Sequence, residues 1–323
     1  MKLEDIGFYT LCDNRAANVS HTSPMWRCEM ILTTACNFKC PYCRPLRPDC
    51  RGTMPLERAL FVLNQWCDQG LRNVRFSGGE PTLYKHLVTL VKHCKERGVQ
   101  RIAISSNGSA SRELYSELIE AGCNDFSISL DACCASDAKK MSGGLDVLGT
   151  VASNIKWLAN KTYVTVGVVL TNENYSQMNE TIKFANSLGV ADVRIISAAQ
   201  ENFLLKGIES LEPEVLEKHP ILKYRANNIR QGRGVRGLKD TDYKTCHLMF
   251  DDSVVAGDQH FPCIIYLREG GEPVGKVGPN MRQERIQWAL THDVRKDLIC
   301  KKNCLDVCID LNSKTESFKN ENL

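Results

Sequence analysis

The chain has 323 residues, room for one barrel-sized domain with an appendage or for two ordinary domains. Apolar residues make up 43% and charged residues 24%, a globular balance, and a net charge of +3 is too near neutral to argue by itself for a polyanionic partner. No run approaches the ~20 apolar residues that span a bilayer, and MKLEDIGFYT leads into no signal-peptide core, so a soluble cytoplasmic protein without a membrane partner is expected.

Residues 1–27 read as an irregular N-terminal extension. Over 28–198 a rhythm follows. Strands are expected at Cys28–Thr34, Val74–Phe76, Ile102–Ser105, Asp125–Leu130, Tyr163–Leu170 and Val193–Ile196. Helices fall between them at Leu56–Gln69, Leu87–Arg97, Arg112–Ala121, Val147–Ala159 and Tyr175–Leu188. Such alternation implies an α/β fold with parallel pairing through right-handed crossovers, and a doubly wound sheet fits it as well as a partial (β/α) barrel. Residues 199–245 read as a helical, then basic linker carrying Lys223, Arg225, Arg230, Arg233, Arg236, Lys239 and Lys244. That stretch is a solvated loop or a contact for phosphate or carboxylate, with nucleic acid left open. Residues 246–310 form a second small domain, with a hairpin turning at Gly257–Asp258, and 311–323 a polar disordered tail.

Sixteen cysteines are many for a reduced compartment and do not suit a short disulfide scaffold. Scattered Cys12, Cys28, Cys67, Cys94 and Cys123 read as small buried apolar residues. Cys36, Cys40 and Cys43 differ: they stand at C-x3-C-x2-C spacing directly after the first strand, where parallel α/β folds bind ligands. Three thiolates can hold three corners of an iron–sulfur cubane and leave one iron open, while a zinc site usually takes four ligands. After the second strand comes FSGGEP, Phe76–Pro81, whose glycines let backbone approach a ligand closely.

CNFKCPYC (Cys36–Cys43) followed by SGGEPTL (Ser77–Leu83) resembles the radical S-adenosylmethionine (SAM) superfamily, over roughly residues 28–198. The resemblance implies a partial (β/α)6 TIM-like barrel holding a catalytic [4Fe–4S] cluster on Cys36, Cys40 and Cys43. It implies SAM on the open iron, cleaved by one electron to a 5′-deoxyadenosyl radical that takes a substrate hydrogen. Residue by residue, Tyr42 would support the adenine, Gly78 and Gly79 would meet the methionine moiety, and Glu80 its ammonium. Ser105, Ser106 and Asn107 would serve ribose or carboxylate. Ser129 closes the next strand, and Lys140 falls where related sequences place an arginine for the SAM carboxylate. Ser111 and Asp131 also suit helix caps.

Cys246, Cys263, Cys300, Cys304 and Cys308 resemble the auxiliary-cluster region of the twitch form of the SPASM domain. That implies a second [4Fe–4S] cluster, with one of the last three cysteines a bystander. A structural zinc is the competing reading. Cys133–Cys134 ends the fourth strand facing the expected active site. Substrates of the family include small molecules, nucleotides and peptides, and the electron comes from a reducing protein such as flavodoxin or ferredoxin. The molybdenum-cofactor GTP cyclase departs from this chain: Glu29 and Thr165 stand where that enzyme meets GTP with arginine and lysine, although Arg75 matches. Its second-cluster spacing and Gly-Gly tail are also absent here. The 27 residues before the first strand are too few for a peptide-leader domain. The rival class is a zinc-stabilised binding protein, and a third reading is a barrel that binds SAM without turning it over.

Overall fold

In the computed structural model, which describes residues 1–199 and 207–321, alternating apolar and polar side chains fold as strands. These are β1 Arg27–Thr33, β2 Asn73–Gly78, β3 Arg101–Ser106, β4 Asp125–Ser129, β5 Tyr163–Leu170 and β6 Asp192–Ser197. Three more follow: β7 Asp252–Ala256, β8 Gln259–Phe261 and β9 Gly275–Lys276. The helices before β7 are α1 Asp13–Asn18, α2 Leu56–Cys67, α3 Leu87–Glu96, α4 Arg112–Ala121, α5 Ala135–Met141, α6 Leu148–Ala159, α7 Met178–Ser187, α8 Pro213–Lys218 and α9 Pro220–Arg230. After it come α10 Ile264–Arg268, α11 Met281–Thr291, α12 Leu298–Asn303 and α13 Asp306–Glu321.

Strand order decides what periodicity left open. The sheet runs β6-β5-β4-β3-β2-β1-β7-β8-β9, with β1 to β6 in unbroken sequence and parallel. A doubly wound sheet reverses direction at a switch point; this one does not. Successive right-handed crossovers in one direction put α2 to α7 on one face, the arrangement of a partial barrel. β7 extends the sheet parallel to β1, and β8 and β9 follow antiparallel.

The two sheet faces differ in chemistry. Met30, Leu32, Val74, Phe76, Ile104, Phe126, Val166 and Ile195 point to the helices and are wholly or almost wholly buried in one core. Each such side chain contributes roughly 1.5–3 kcal/mol. The registered neighbours on the other face are Glu29, Arg75, Ser105, Asp125, Ser127, Thr165 and Arg194. Arg75 lies 3.7 Å from Asp125, and Arg194 donates to Ser127. Desolvation on this inner face pulls Arg194 down to about 10.

The N-terminal extension packs rather than trails. Leu3, Ile6, Leu11 and Ala16 share a small core with Tyr224, Val307 and Leu311. The Tyr9 hydroxyl accepts from Arg75 at 3.5 Å, and its ring lies 4.3 Å from the Arg101 guanidinium. Residues 8–9 thus stop the end of the barrel where β2 and β3 begin.

The tail requires a correction: described residues 311–321, expected to be disordered, belong to α13. The helix is held by satisfied polar groups that hydropathy does not reveal. Asp306 is fully buried, 2.6 Å from Arg225, and accepts from Asn228 at 2.9 Å. The His247 amide donates to Asn312 Oδ1 at 2.6 Å. Asp306→Ala should cost ~3–5 kcal/mol in a urea unfolding measurement, because it leaves the Arg225 charge buried and unpaired. A disordered tail would leave the midpoint unchanged. The basic linker is corrected in part: Lys223, Arg225 and Arg230 lie on α9, and Arg225 is a buried structural cation.

Candidate active site

The carboxyl ends of β1 to β4 gather the expected residues. At the end of β1 a register shift after Ile31 turns the chain outward. The Thr33 hydroxyl accepts from the Ala35 amide at 3.1 Å, starting the loop that carries Cys36, Cys40 and Cys43. Gly79 donates its amide to Thr33 O at 2.7 Å and Glu80 its amide to Ala35 O at 2.8 Å, so the second motif lies backbone to backbone against the first. A Cβ on Gly79 would stand 2.3 Å from the Ala35 carbonyl oxygen, and one on Gly78, at φ 151°, 2.3 Å from that of Thr33. Only glycine permits this approach. Gly79→Ala should therefore displace the cysteine loop and weaken SAM binding roughly a hundredfold in equilibrium dialysis, as small misplacements in such sites do.

Glu80 follows β2 closely and caps the turn Pro81–Leu83. It is fully buried, and its carboxylate accepts from the Thr82 amide (3.0 Å) and hydroxyl (2.7 Å), the Ser106 hydroxyl (2.9 Å) and the Asn107 amide (2.7 Å). It braces the loops after β2 and β3. Asn107 in turn donates to Asn37 Oδ1 at 2.8 Å, and its amide nitrogen lies 4.0 Å from Cys36 Sγ. Ser105 points to the inner face, accepting from Arg75 at 2.9 Å. Ser129 is exposed at the end of β4. Lys140 is not brought in: its ammonium is exposed and engages Asp137, one turn away on α5, at 3.2 Å.

Tyr42 donates to Asp131 Oδ2 at 2.5 Å, and Asp131 Oδ1 accepts from the Val169 amide at 2.8 Å. Desolvation pushes the Asp131 carboxyl up to about 6 against both hydrogen bonds. Asp131 is thus a tether for the cysteine loop, beyond the helix cap its position suggested. Ser111 is a true cap, accepting from the Leu114 amide at 3.3 Å. The Cys133 and Cys134 thiols face Gln177 Oε1 at 3.8 and 3.7 Å, and Cys134 also meets Asp137.

The donor chemistry fits an iron–sulfur group at the first loop. Cys36 and Cys43 are exposed and Cys40 is half-buried. Burial pushes the Cys40 thiol up to about 12, with Asp131 and Cys43 adding to it, so it stays protonated until a metal displaces the proton. The five late cysteines also converge. Cys263 caps α10, accepting from the Tyr266 amide at 3.4 Å, and Cys300, Cys304 and Cys308 lie on or between α12 and α13. Burial raises the thiols of Cys246, Cys263, Cys300, Cys304 and Cys308, and their mutual proximity adds to it in Cys246, Cys300, Cys304 and Cys308. Among the described residues no three His, Cys, Asp or Glu side chains are drawn together around one ion position. A cubane holds its thiolates further apart than a single zinc does.

Sequence reasoning missed Thr82 and Arg268, and it named Ser106 for ribose or carboxylate where the structure has it donating to Glu80. Thr82 lies inside the second motif and could have been found there. Arg268, whose Nη2 donates to Gly78 O at 2.8 Å, lies 190 positions away and carries no local signal.

Residues 30–185 match the family model described as the radical SAM superfamily. A probable GTP 3′,8-cyclase of Sulfurisphaera tokodaii is 30% identical over 205 residues, 62% of this chain and 64% of that protein. A PqqA peptide cyclase of Bradyrhizobium diazoefficiens is 29% identical over 189 residues, 58% of this chain and 50% of that one. The chain thus spans less than two thirds of the length of these curated relatives. Among solved structures, Streptococcus suis SuiB bound to precursor peptide SuiA superposes with a TM-score of 0.58 at 16% identity, covering 80% of this chain and 63% of that one. The anSMEcpe protein with bound AdoMet and Kp18Cys peptide gives 0.55 at 16% identity, covering 93% and 98%. The cysteine loop, the glycine pair packed on it and strands β2 to β5 all fall within the matched segment, and residues 30–185 form a radical SAM domain.

Proposed function

We propose that the protein is a radical SAM enzyme that modifies a peptide, using a catalytic [4Fe–4S] cluster on Cys36, Cys40 and Cys43 and an auxiliary [4Fe–4S] cluster in the C-terminal region. When bound, cluster and SAM supply one-electron cleavage of the S–C5′ bond and a radical that removes a substrate hydrogen. The chain's residues position and shield. Gly78 and Gly79 bring backbone polar groups to the SAM site, Glu80 fixes the loops around it, and Tyr42 with Asp131 holds the cysteine loop over the barrel mouth. The observation that carries the reading is the packing of Gly79 and Glu80 onto the start of the cysteine loop, which serves a ligand bridging both motifs. A reduced flavodoxin or ferredoxin would deliver the electron.

The auxiliary cluster would draw on Cys246, Cys263 and two of Cys300, Cys304 and Cys308. Support for the cluster comes from the mutual proximity of these half-buried thiols, and fold neighbours bound to peptides support the substrate class. The inner face is a poor cradle for a triphosphate: Glu29 is buried there, 3.9 Å from Arg27, and Arg75 already faces Asp125. Mass spectrometry of deuterium transfer into 5′-deoxyadenosine tests the reading. Label should pass from a deuterated peptide substrate and not from deuterated GTP; transfer from GTP alone would overturn the peptide assignment.

A further inference from the structure

The cysteine loop does not stand free above the barrel. Its continuation, residues 44–50, packs on the C-terminal region, with Leu46 and Cys50 in one core with Val254, Phe261 and Leu267. Three successive contacts then lead from the end of α10 back to the site. Arg268 Nη2 donates to the Gly78 carbonyl at 2.8 Å. Glu269 pairs at 2.5 Å with Arg44, the residue after Cys43. Arg47 donates to Glu272 at 2.6 Å and to the Gly271 carbonyl at 3.4 Å. Arg268 is half-buried. The helix that ends in Arg268 begins at Cys263, whose sulfur caps it.

We propose that Arg268 is a positioning residue of the radical SAM site, supplied by the C-terminal region. Its guanidinium orients the Gly78 peptide for SAM. This inference rests on the function proposed above. The physical reason is simple. A charge-assisted hydrogen bond from a desolvated donor fixes a carbonyl more firmly than water can. The five residues of α10 then link the auxiliary-cluster cysteines mechanically to SAM.

The test uses the full chain, reconstituted anaerobically with iron and sulfide. Wild type, Arg268→Gln and Arg268→Lys are compared by SAM titration of the reduced cluster's EPR signal and by the cluster's midpoint potential. Arg268→Gln should keep its iron content and midpoint potential and lose SAM affinity roughly tenfold or more. Arg268→Lys lacks the planar fork, so its SAM affinity should fall as well. Wild-type affinity in Arg268→Gln would overturn the inference. If that variant does not fold, wild-type SAM affinity in Arg268→Lys overturns it instead. A wild-type signal indifferent to SAM would sink the underlying function, a result distinct from either.

Discussion

Cys40→Ala should abolish reductant-dependent release of 5′-deoxyadenosine and lower the iron content from about eight to about four per chain, counting four irons per cubane. Three thiols on one loop give no redundancy. Cys36 and Cys43 alone hold two corners, and the half-buried Cys40 is the sulfur nearest the Tyr42–Asp131 tether. The loss should be in cluster assembly, not in folding. Cys40 lies in an irregular loop, and the barrel core beneath does not include it. Iron analysis, 5′-deoxyadenosine by chromatography and an unfolding curve check the three parts together. Turnover at the wild-type level would refute the assignment.

Cys263→Ala should also remove about four irons, yet leave some SAM cleavage. Cys263 is half-buried near the other late cysteines, at the start of α10. Cleavage should fall but persist, because the first cysteine loop is intact while α10 loses its cap. Formation of modified substrate should fall much further, below detection, if the second cluster handles the substrate or its radical. An unchanged iron count in this variant would refute the auxiliary centre, and zinc in place of the missing iron would favour a structural metal.

Much of the barrel was legible because strands buried on one face advertise themselves. Cys28–Thr34 was expected against an observed Arg27–Thr33, and Tyr163–Leu170 appears as expected. The hairpin turn at Gly257 was legible for a local reason: its φ of 61° suits glycine, and a Cβ there would meet the Asp49 carbonyl at 2.9 Å. What periodicity could not choose, strand order did, and order depends on pairing between distant segments. The polar helix α13 hid because Asp306, Asn312 and Thr315 are buried through hydrogen bonds rather than by hydrophobicity. Tyr9 hid because its partners Arg75 and Arg101 are on strands far along the chain. At the site, the motif positions were legible, and the contacts that hold them were not: Glu80 accepts from Ser106, Asn107 and Thr82, and Lys140 pairs with Asp137.

The central claim is that Cys36, Cys40 and Cys43 leave an iron open to SAM. EPR of the anaerobically reconstituted, reduced protein tests it most directly, recorded with and without SAM and paired with metal analysis. The account predicts about eight irons, a cluster signal that changes shape when SAM is added, and loss of that change in Cys40→Ala. One or two zincs, with no iron signal that responds to SAM, would contradict it.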